Sequence, residues 1–277
     1  MEVGQVFVSS SGSKLKIIED MGSSVLVEFL DTVQPFRKVL KKRSVKRRSF
    51  RGPYCRTVFG VGYLGEGPFK VSYRAANGKY FQTKEYLKWA GMLKRCYDPG
   101  YLTKQPSYQG AEVCEEWHNF QNFAEWAVKQ RNFGLDGFEL DKDLTESSDR
   151  VYCPENCAFV PKIINGVMAQ RGKKGKWVEG VEKNSKGSRF FARLGRFGKS
   201  ERVGTAESEE AAYAIFKKAK EDYIHSLAEK YKHCLDEKTY MFLISHKQPT
   251  YEEAVVRWER LNGPRHVLPT AKDLEDR

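Results

Sequence analysis

The stretch that decides the fold is Lys176-Trp177-Val178-Glu179-Gly180-Val181, a turn over 184–188, Arg189-Phe190-Phe191-Ala192-Arg193-Leu194-Gly195-Arg196, a Phe197-Gly198 turn, then Lys199-Ser200-Glu201-Arg202-Val203-Gly204-Thr205. The runs are short, rich in aromatic and β-branched residues, and separated by turn signals, so the spacing predicts three strands joined by hairpins. Basic and apolar residues alternate along the middle run. Ser208-Glu209-Glu210 then predicts a helix start, with Ser208 as N-cap and acids in the first turn. Its expected buried stripe is Ala211, Ala212, Ile215, Phe216 and Ala219, whose small alanines let the helix approach the sheet. The opposite sheet face then offers Arg189 or its alternates, Arg193 and Arg202, to a partner.

Downstream, Ala219–Cys234 reads as a continuing amphipathic helix, followed by a short helix and a near-neutral tail whose last ten residues are expected to be poorly ordered. Upstream, the charge is unevenly spread. The chain has 277 residues with 48 Lys+Arg against 36 Asp+Glu, a net charge of +12. Residues 1–60 hold 12 basic and 5 acidic side chains and residues 176–205 hold 8 and 3, while the rest is close to balance. Two cationic blocks of this kind point to an anionic partner. In the first block, the β-like runs Gln5–Val8 and Val25–Leu30 suggest a small barrel or meander. They precede Lys41-Lys42-Arg43-Ser44-Val45-Lys46-Arg47-Arg48, read either as a solvated linker or as a phosphate-gripping strap with salt-sensitive affinity.

Gly60-Val61-Gly62-Tyr63-Leu64-Gly65 spells G-x-G-x-x-G, but Glu66-Gly67-Pro68 follows where a helix would have to begin. It reads as a glycine-rich turn and not as a pyrophosphate site. Helical patterns run from Tyr86 to Tyr97 and over about 119–130, with Trp117, Phe123 and Trp126 expected between helices. Next, Phe138-Glu139-Leu140-Asp141-Lys142-Asp143-Leu144, a polar turn over 145–150, Val151-Tyr152, Pro154-Glu155-Asn156, Phe159-Val160-Pro161 and Lys162-Ile163-Ile164-Asn165 read as strand, loop, strand and short helix. A carboxylate at Asp141 and an amide at Asn165, brought together, suit a hard divalent cation that completes its shell with water and phosphate. The bland alternative is that both are turn formers.

Two resemblances sharpen these readings. Residues 84–172, with the motif in 138–166, resemble the ββα-metal core of phage-type HNH homing endonucleases: Asp141-Lys142 falls on that family's Asp-His pair, Glu155-Asn156-Cys157 on its Glu-Asn-Leu, and Asn165 on its helical Asn. The resemblance implies that Asp141 and Asn165 bind Mg²⁺ or Mn²⁺ and that Asn156 pins the turn by hydrogen bonds. The family's histidine is the general base, and this chain places Lys142 there. An ammonium is a poor base at neutral pH unless burial or a neighbouring cation depresses its pKa. Asp143 and His118 are the substitutes, although His118 reads equally as a helix-start residue. Residues 176–225 are similar to AP2/ERF-type DNA-binding domains, through Gly180-Val181, Phe190–Leu194, Val203-Gly204-Thr205 and Glu209-Glu210-Ala211-Ala212. That similarity implies a three-stranded sheet laid in the major groove, with Lys183, Arg189, Arg193, Arg196 and Arg202 as DNA contacts.

No apolar run is long enough to span a membrane, and the N-terminal stretch does not read as a secretion signal. A cytoplasmic location is expected, in a bacterial host if the chain is phage-encoded. The six cysteines, at 55, 96, 114, 153, 157 and 234, are too scattered for a disulfide framework and lack a second Cys pair for structural zinc, so they read as buried thiols. The expectation is a modular α+β protein: a small β domain with basic strap (1–58), a helical and ββα-metal core (59–172), an AP2-like sheet with packed helix (176–225), and C-terminal helices and tail (226–277). Its expected activity is sequence-specific double-stranded DNA binding with metal-dependent cleavage; the alternative is an inactive nuclease-derived regulator or blocking factor. RNA fits the charge equally well, and the AP2 resemblance favours duplex DNA. The sequence does not fix whether the N-terminal β domain meets DNA or a protein partner, nor does it fix the oligomeric state.

Overall fold

Apolar residues at alternate positions of the N-terminal segment form a four-stranded antiparallel meander in the computed structural model, which describes residues 1–142, 144, 150–168, 176–185 and 187–264. Its strands, β1 (Val6–Val8), β2 (Lys14–Met21), β3 (Ser24–Leu30) and β4 (Phe36–Lys41), pair in chain order. Leu15, Ile17, Val25, Val27 and Phe29 share the buried face, closed by Val45, Phe50 and Cys55. This fixes the register, since a one-residue slip would turn all of β3's buried set to solvent. The cationic stretch is part of this structure: Lys41 ends β4, and Lys42–Lys46 form a helical turn, α1, that drops Val45 into the core.

The chain as a whole is mixed α/β, with 38% helix and 26% strand in several small sheets. It divides into two compact units, Met1–Phe159 and Val160–Arg277. Beyond the meander, the first unit holds an antiparallel ribbon, β5 (Ser72–Arg74) with β6 (Tyr80–Gln82). It then holds the helices α2 (Lys84–Tyr97), α3 (Pro99–Lys104) and α4 (Phe120–Lys129). Thr83 caps α2 by accepting from the Tyr86 amide at 3.3 Å, and Asp98 ends it while capping α3. Trp89, Met92 and Leu93 of α2 pack with Phe120, Phe123, Ala124 and Ala127 of α4 around a fully buried Trp117. The Trp89 indole N–H donates to the Trp117 carbonyl at 2.7 Å, so the buried polar edge is satisfied. The glycine-rich run 60–65 is a packed turn: a Cβ on Gly62 would come within 2.4 Å of Leu93, and one on Gly65, at φ +66°, would lie 2.2 Å from the Asn119 side chain.

Four short strands complete the first unit: β7 (Glu112–Val113), β8 (Phe138–Asp141), β9 (Val151–Tyr152) and β10 (Ala158–Pro161). β7 runs parallel to β9, and β8 pairs with β10, the strand in which the unit ends.

The second unit comprises α5 (Lys162–Met168), the sheet β11 (Val181–Lys183), β12 (Phe190–Arg196) and β13 (Lys199–Ala206), and the helices α6 (Glu209–Tyr231), α7 (Glu237–Ser245) and α8 (Tyr251–Asn262). The sheet is antiparallel in the order β11-β12-β13. Ser208 caps α6, accepting from the Ala211 amide at 3.1 Å. Two expectations are corrected. The first strand begins at Val181 and not at Lys176, because the Val178 amide donates to the Glu209 carboxylate at 3.0 Å and Gly180 turns the chain at φ +77°. The buried stripe of α6 runs through Glu209, Ala212, Tyr213, Phe216, Lys220, Tyr223, Ile224, Leu227 and Ala228, leaving Ala211 exposed and Ile215 and Ala219 half-buried. The helical period is obeyed, but its buried face is turned by about one residue from the one expected. The helix continues unbroken through residues 225 and 226.

Asp143, the turn residues 145–149 and the tail from 265 onward lie outside the described residues. Among the described residues no helix is long and apolar enough to cross a membrane.

Candidate nucleic-acid interface

Strand alternation sorts the basic residues of the second unit onto two faces. Phe190, Ala192 and Leu194 are buried. Ala192 stands opposite Gly204, where a Cβ would lie 2.6 Å from Ile215 of α6, so this is the helix-facing side. Gly180 serves the same close approach, since a Cβ there would fall 2.2 Å from the Phe216 ring. The other face carries Phe191 and Arg193 from β12, Glu182 opposite Phe191, and Arg202 opposite Arg193. A bulge between Ala192 and Arg193 brings this last pair into register by skipping Val203.

On this outer face, Arg193 Nε donates to Ser200 Oγ at 3.3 Å, and its guanidinium lies 3.4 Å from the Glu182 carboxylate. Arg202 is exposed and lies over the Phe191 ring, 5.0 Å from its centroid. The arrangement is two adjacent guanidiniums, one steadied by an acid and one by a ring, on a sheet surface opposite the packed helix. Planar forks placed this way match guanine edges or phosphate oxygens.

Two residues expected at this surface are elsewhere. Lys183 pairs with Phe190 and so takes the helix-facing side, its ammonium 5.3 Å from the Phe190 ring and 5.6 Å from Trp177. Arg196 continues the same alternation and stacks on Tyr223 of α6 at 5.2 Å, with its Nε buried and unpartnered. Both use their charge to cover aromatic edges. Arg189 is exposed just before β12. Phe191 and Glu182 escaped the sequence reading, although the two-residue alternation from Arg193 marks Phe191 as their neighbour.

In the first unit, Lys41, Arg43, Lys46, Arg47 and Arg48 are exposed around α1. Lys42 differs: its ammonium meets the Asp20 carboxylate at 2.5 Å, and Asp20 also receives the N-terminal amine at 2.8 Å. These partners hold the Asp20 carboxyl far below the usual carboxylate range, the Lys42 hydrogen bond contributing most.

Asp141, at the end of β8, and Lys142 are each 5% exposed. The Lys142 ammonium lies 5.7 Å from the centroid of the Tyr152 ring, whose hydroxyl accepts from Arg95 Nε at 3.1 Å. Asn156 donates its side-chain amide to the Val151 carbonyl at 3.3 Å, bridging the turn after β9. His118 Nε2 lies 3.0 Å from the Val113 carbonyl. A carbonyl only accepts, so that nitrogen carries the proton. Burial lowers the His118 pKa. Asn165 lies on α5 in the second unit, whereas the other four residues belong to the first. All six cysteines are free thiols; four are buried, while Cys114 and Cys153 are half-buried. Burial pushes Cys114 up to about 11. Among the described residues no group of three or more His, Cys, Asp or Glu side chains is placed to hold a metal ion.

In comparisons with known proteins, no family model, no curated protein and no solved structure matches the chain.

Proposed function

We propose that the chain binds double-stranded DNA and reads its sequence with the outer face of the β11-β12-β13 sheet. The observation that supports this is the Arg193/Arg202 pair. Like charges directly opposite on a sheet cost folding stability, yet here they sit side by side, with Glu182 against one and Phe191 beneath the other. An anionic ligand turns that repulsion into attraction, and two forks at ladder spacing can reach neighbouring bases. The exposed cations around α1 add sequence-independent phosphate attraction. The test is selection of bound duplexes from a random pool by the full chain. A short enriched motif is expected for the wild type, and none for an Arg193→Ala, Arg202→Ala double variant that keeps salt-sensitive binding. The same motif enriched by both proteins would defeat the reading.

The 138–165 segment supports a choice between two further roles. In one, Asp141 contributes a carboxylate to a bound Mg²⁺ or Mn²⁺ and the protein is a phage-type endonuclease; such a cation, when bound, polarises a scissile phosphate. In the other, a nuclease-derived scaffold binds without cutting. Lys142, buried over the Tyr152 ring in the position of the general base, favours the second. Incubation with supercoiled DNA in Mg²⁺, Mn²⁺ or EDTA, beside an Asp141→Ala variant, separates them. Uncut DNA bound equally by both proteins is expected; metal-dependent cuts absent from the variant would establish the endonuclease.

A further inference from the structure

The β5–β6 ribbon of the first unit has no part in the reading above, and it displays aromatic rings to solvent. Tyr73 is 54% exposed, Tyr80 73% and Phe81 45%. Tyr73 stands opposite Phe81, and the two rings stack with centroids 6.0 Å apart and planes 28° from parallel. Tyr80 stands opposite Arg74 and so takes the other face.

The ribbon is held at both ends. At the tip, Gly78 adopts φ +80°, the Ala75 amide donates to the Lys79 carbonyl at 2.8 Å, and Arg74 Nε donates to the Gly78 carbonyl at 3.2 Å. At the base, the Thr83 hydroxyl donates to the Lys70 carbonyl at 2.8 Å while the same residue caps α2. A mounted ribbon with three exposed rings is thus a built surface and not a frayed loop.

Its charge selects the partner. Residues 70–82 include Lys70, Arg74 and Lys79 and no acidic residue. Among the described residues none of these three cations meets a carboxylate. Cations beside exposed rings form the standard combination for unpaired nucleotides, in which the backbone is attracted and the bases stack. In a duplex the base faces are already covered, and groove reading relies on polar side chains at base edges, whereas the ribbon's Tyr73/Phe81 face presents rings.

We propose that the β5–β6 ribbon is a second nucleic-acid site that binds single strands by stacking bases on Tyr73, Phe81 and Tyr80. Its residues all belong to the first unit, whereas those of the β11-β12-β13 sheet belong to the second. The test measures binding of the full chain and its variants to labelled (dT)15, (rU)15 and a mixed-sequence duplex. Tyr80→Ala, and separately a Tyr73→Ala, Phe81→Ala double variant, should weaken single-strand binding about 10-fold or more with duplex binding retained, and Tyr80→Phe should bind as the wild type does. The polymer bound more tightly identifies DNA or RNA as the source of the strand. On a duplex carrying the motif selected by the wild type, Arg193→Ala, Arg202→Ala should do the reverse, losing affinity there with (dT)15 binding unchanged. If the double ring variant does not fold, Tyr80→Ala decides, since its ring is largely in solvent. Wild-type single-strand affinity in Tyr80→Ala overturns the proposal, as does a loss confined to duplex, which would make the ribbon a groove-binding element.

Discussion

Arg193 and Arg202 stand directly across from each other in the β12–β13 ladder, on the face turned away from α6. Folding stability and ligand binding should therefore respond oppositely to the same substitution. Arg202→Ala removes one of two opposed like charges, a change of about 0.2–1 kcal/mol on a sheet, so thermal denaturation should show unchanged or raised stability. The same substitution should weaken binding to a selected duplex by about 1–3 kcal/mol for each base edge left unread, and leave scrambled duplex little affected. Weakening in equal measure on both duplexes would remove sequence reading from this pair.

Around α1, the exposed Arg43, Lys46 and Arg47 are available for phosphate, whereas Lys42 is paired with Asp20. Changing those three to Gln should reduce the slope of log affinity against log salt by up to about 0.9 for each phosphate no longer neutralised. Lys42→Gln should leave the slope unchanged. A salt titration of duplex binding at several ionic strengths reads both, and an unaltered slope in the triple variant would show that the strap does not touch DNA.

Gly180 permits the close approach of α6 through its missing Cβ and its φ of +77°. Gly180→Ala should destabilise the second unit by about 1–3 kcal/mol, combining overpacking against Phe216 with a strained backbone. Gly204→Ala should cost less, because its backbone is not in the left-handed region and its nearest neighbour is one methyl group of Ile215 and not an aromatic ring. Urea unfolding followed by circular dichroism would compare the two; equal midpoints for wild type and Gly180→Ala would contradict the packing argument.

His118 predicts a pH dependence. Burial lowers its folded pKa below the ordinary value of 6.5, with the neutral ring donating to Val113. The unfolded chain therefore takes up the proton more readily, and stability falls as pH drops below that ordinary value. Melting temperatures measured between pH 7 and pH 5 should decline for the wild type and decline less for His118→Gln, which keeps an N–H donor and does not titrate. Parallel declines would assign the acid sensitivity to other groups.

The signals that were legible in sequence are local ones. Lys199–Thr205 reads as a strand because of its turn at Phe197-Gly198, and Ser208 reads as a cap because a hydroxyl there satisfies a first-turn amide. Facing was harder. Lys183 and Arg196 look like Arg193 in composition, and only the pairing of Lys183 with Phe190 and the stacking of Arg196 on Tyr223 reveal that they serve the helix side. The β5–β6 ribbon was also missed, although Asn77-Gly78 between aromatic runs is a hairpin signal; three-residue strands give alternation too little length to register.

Arg202 lies over Phe191 within the folded sheet itself. A long side chain ordered only on binding gives up about 0.5–1.5 kcal/mol of conformational freedom at each encounter; a side chain already resting on a ring surrenders much of that once, when the domain folds. The consequence is kinetic as well as energetic. On the proposed reading, a fork set in advance lets the protein test a site and leave it without rearranging, so a search along DNA would be limited by movement between sites and not by the time spent adapting to each one.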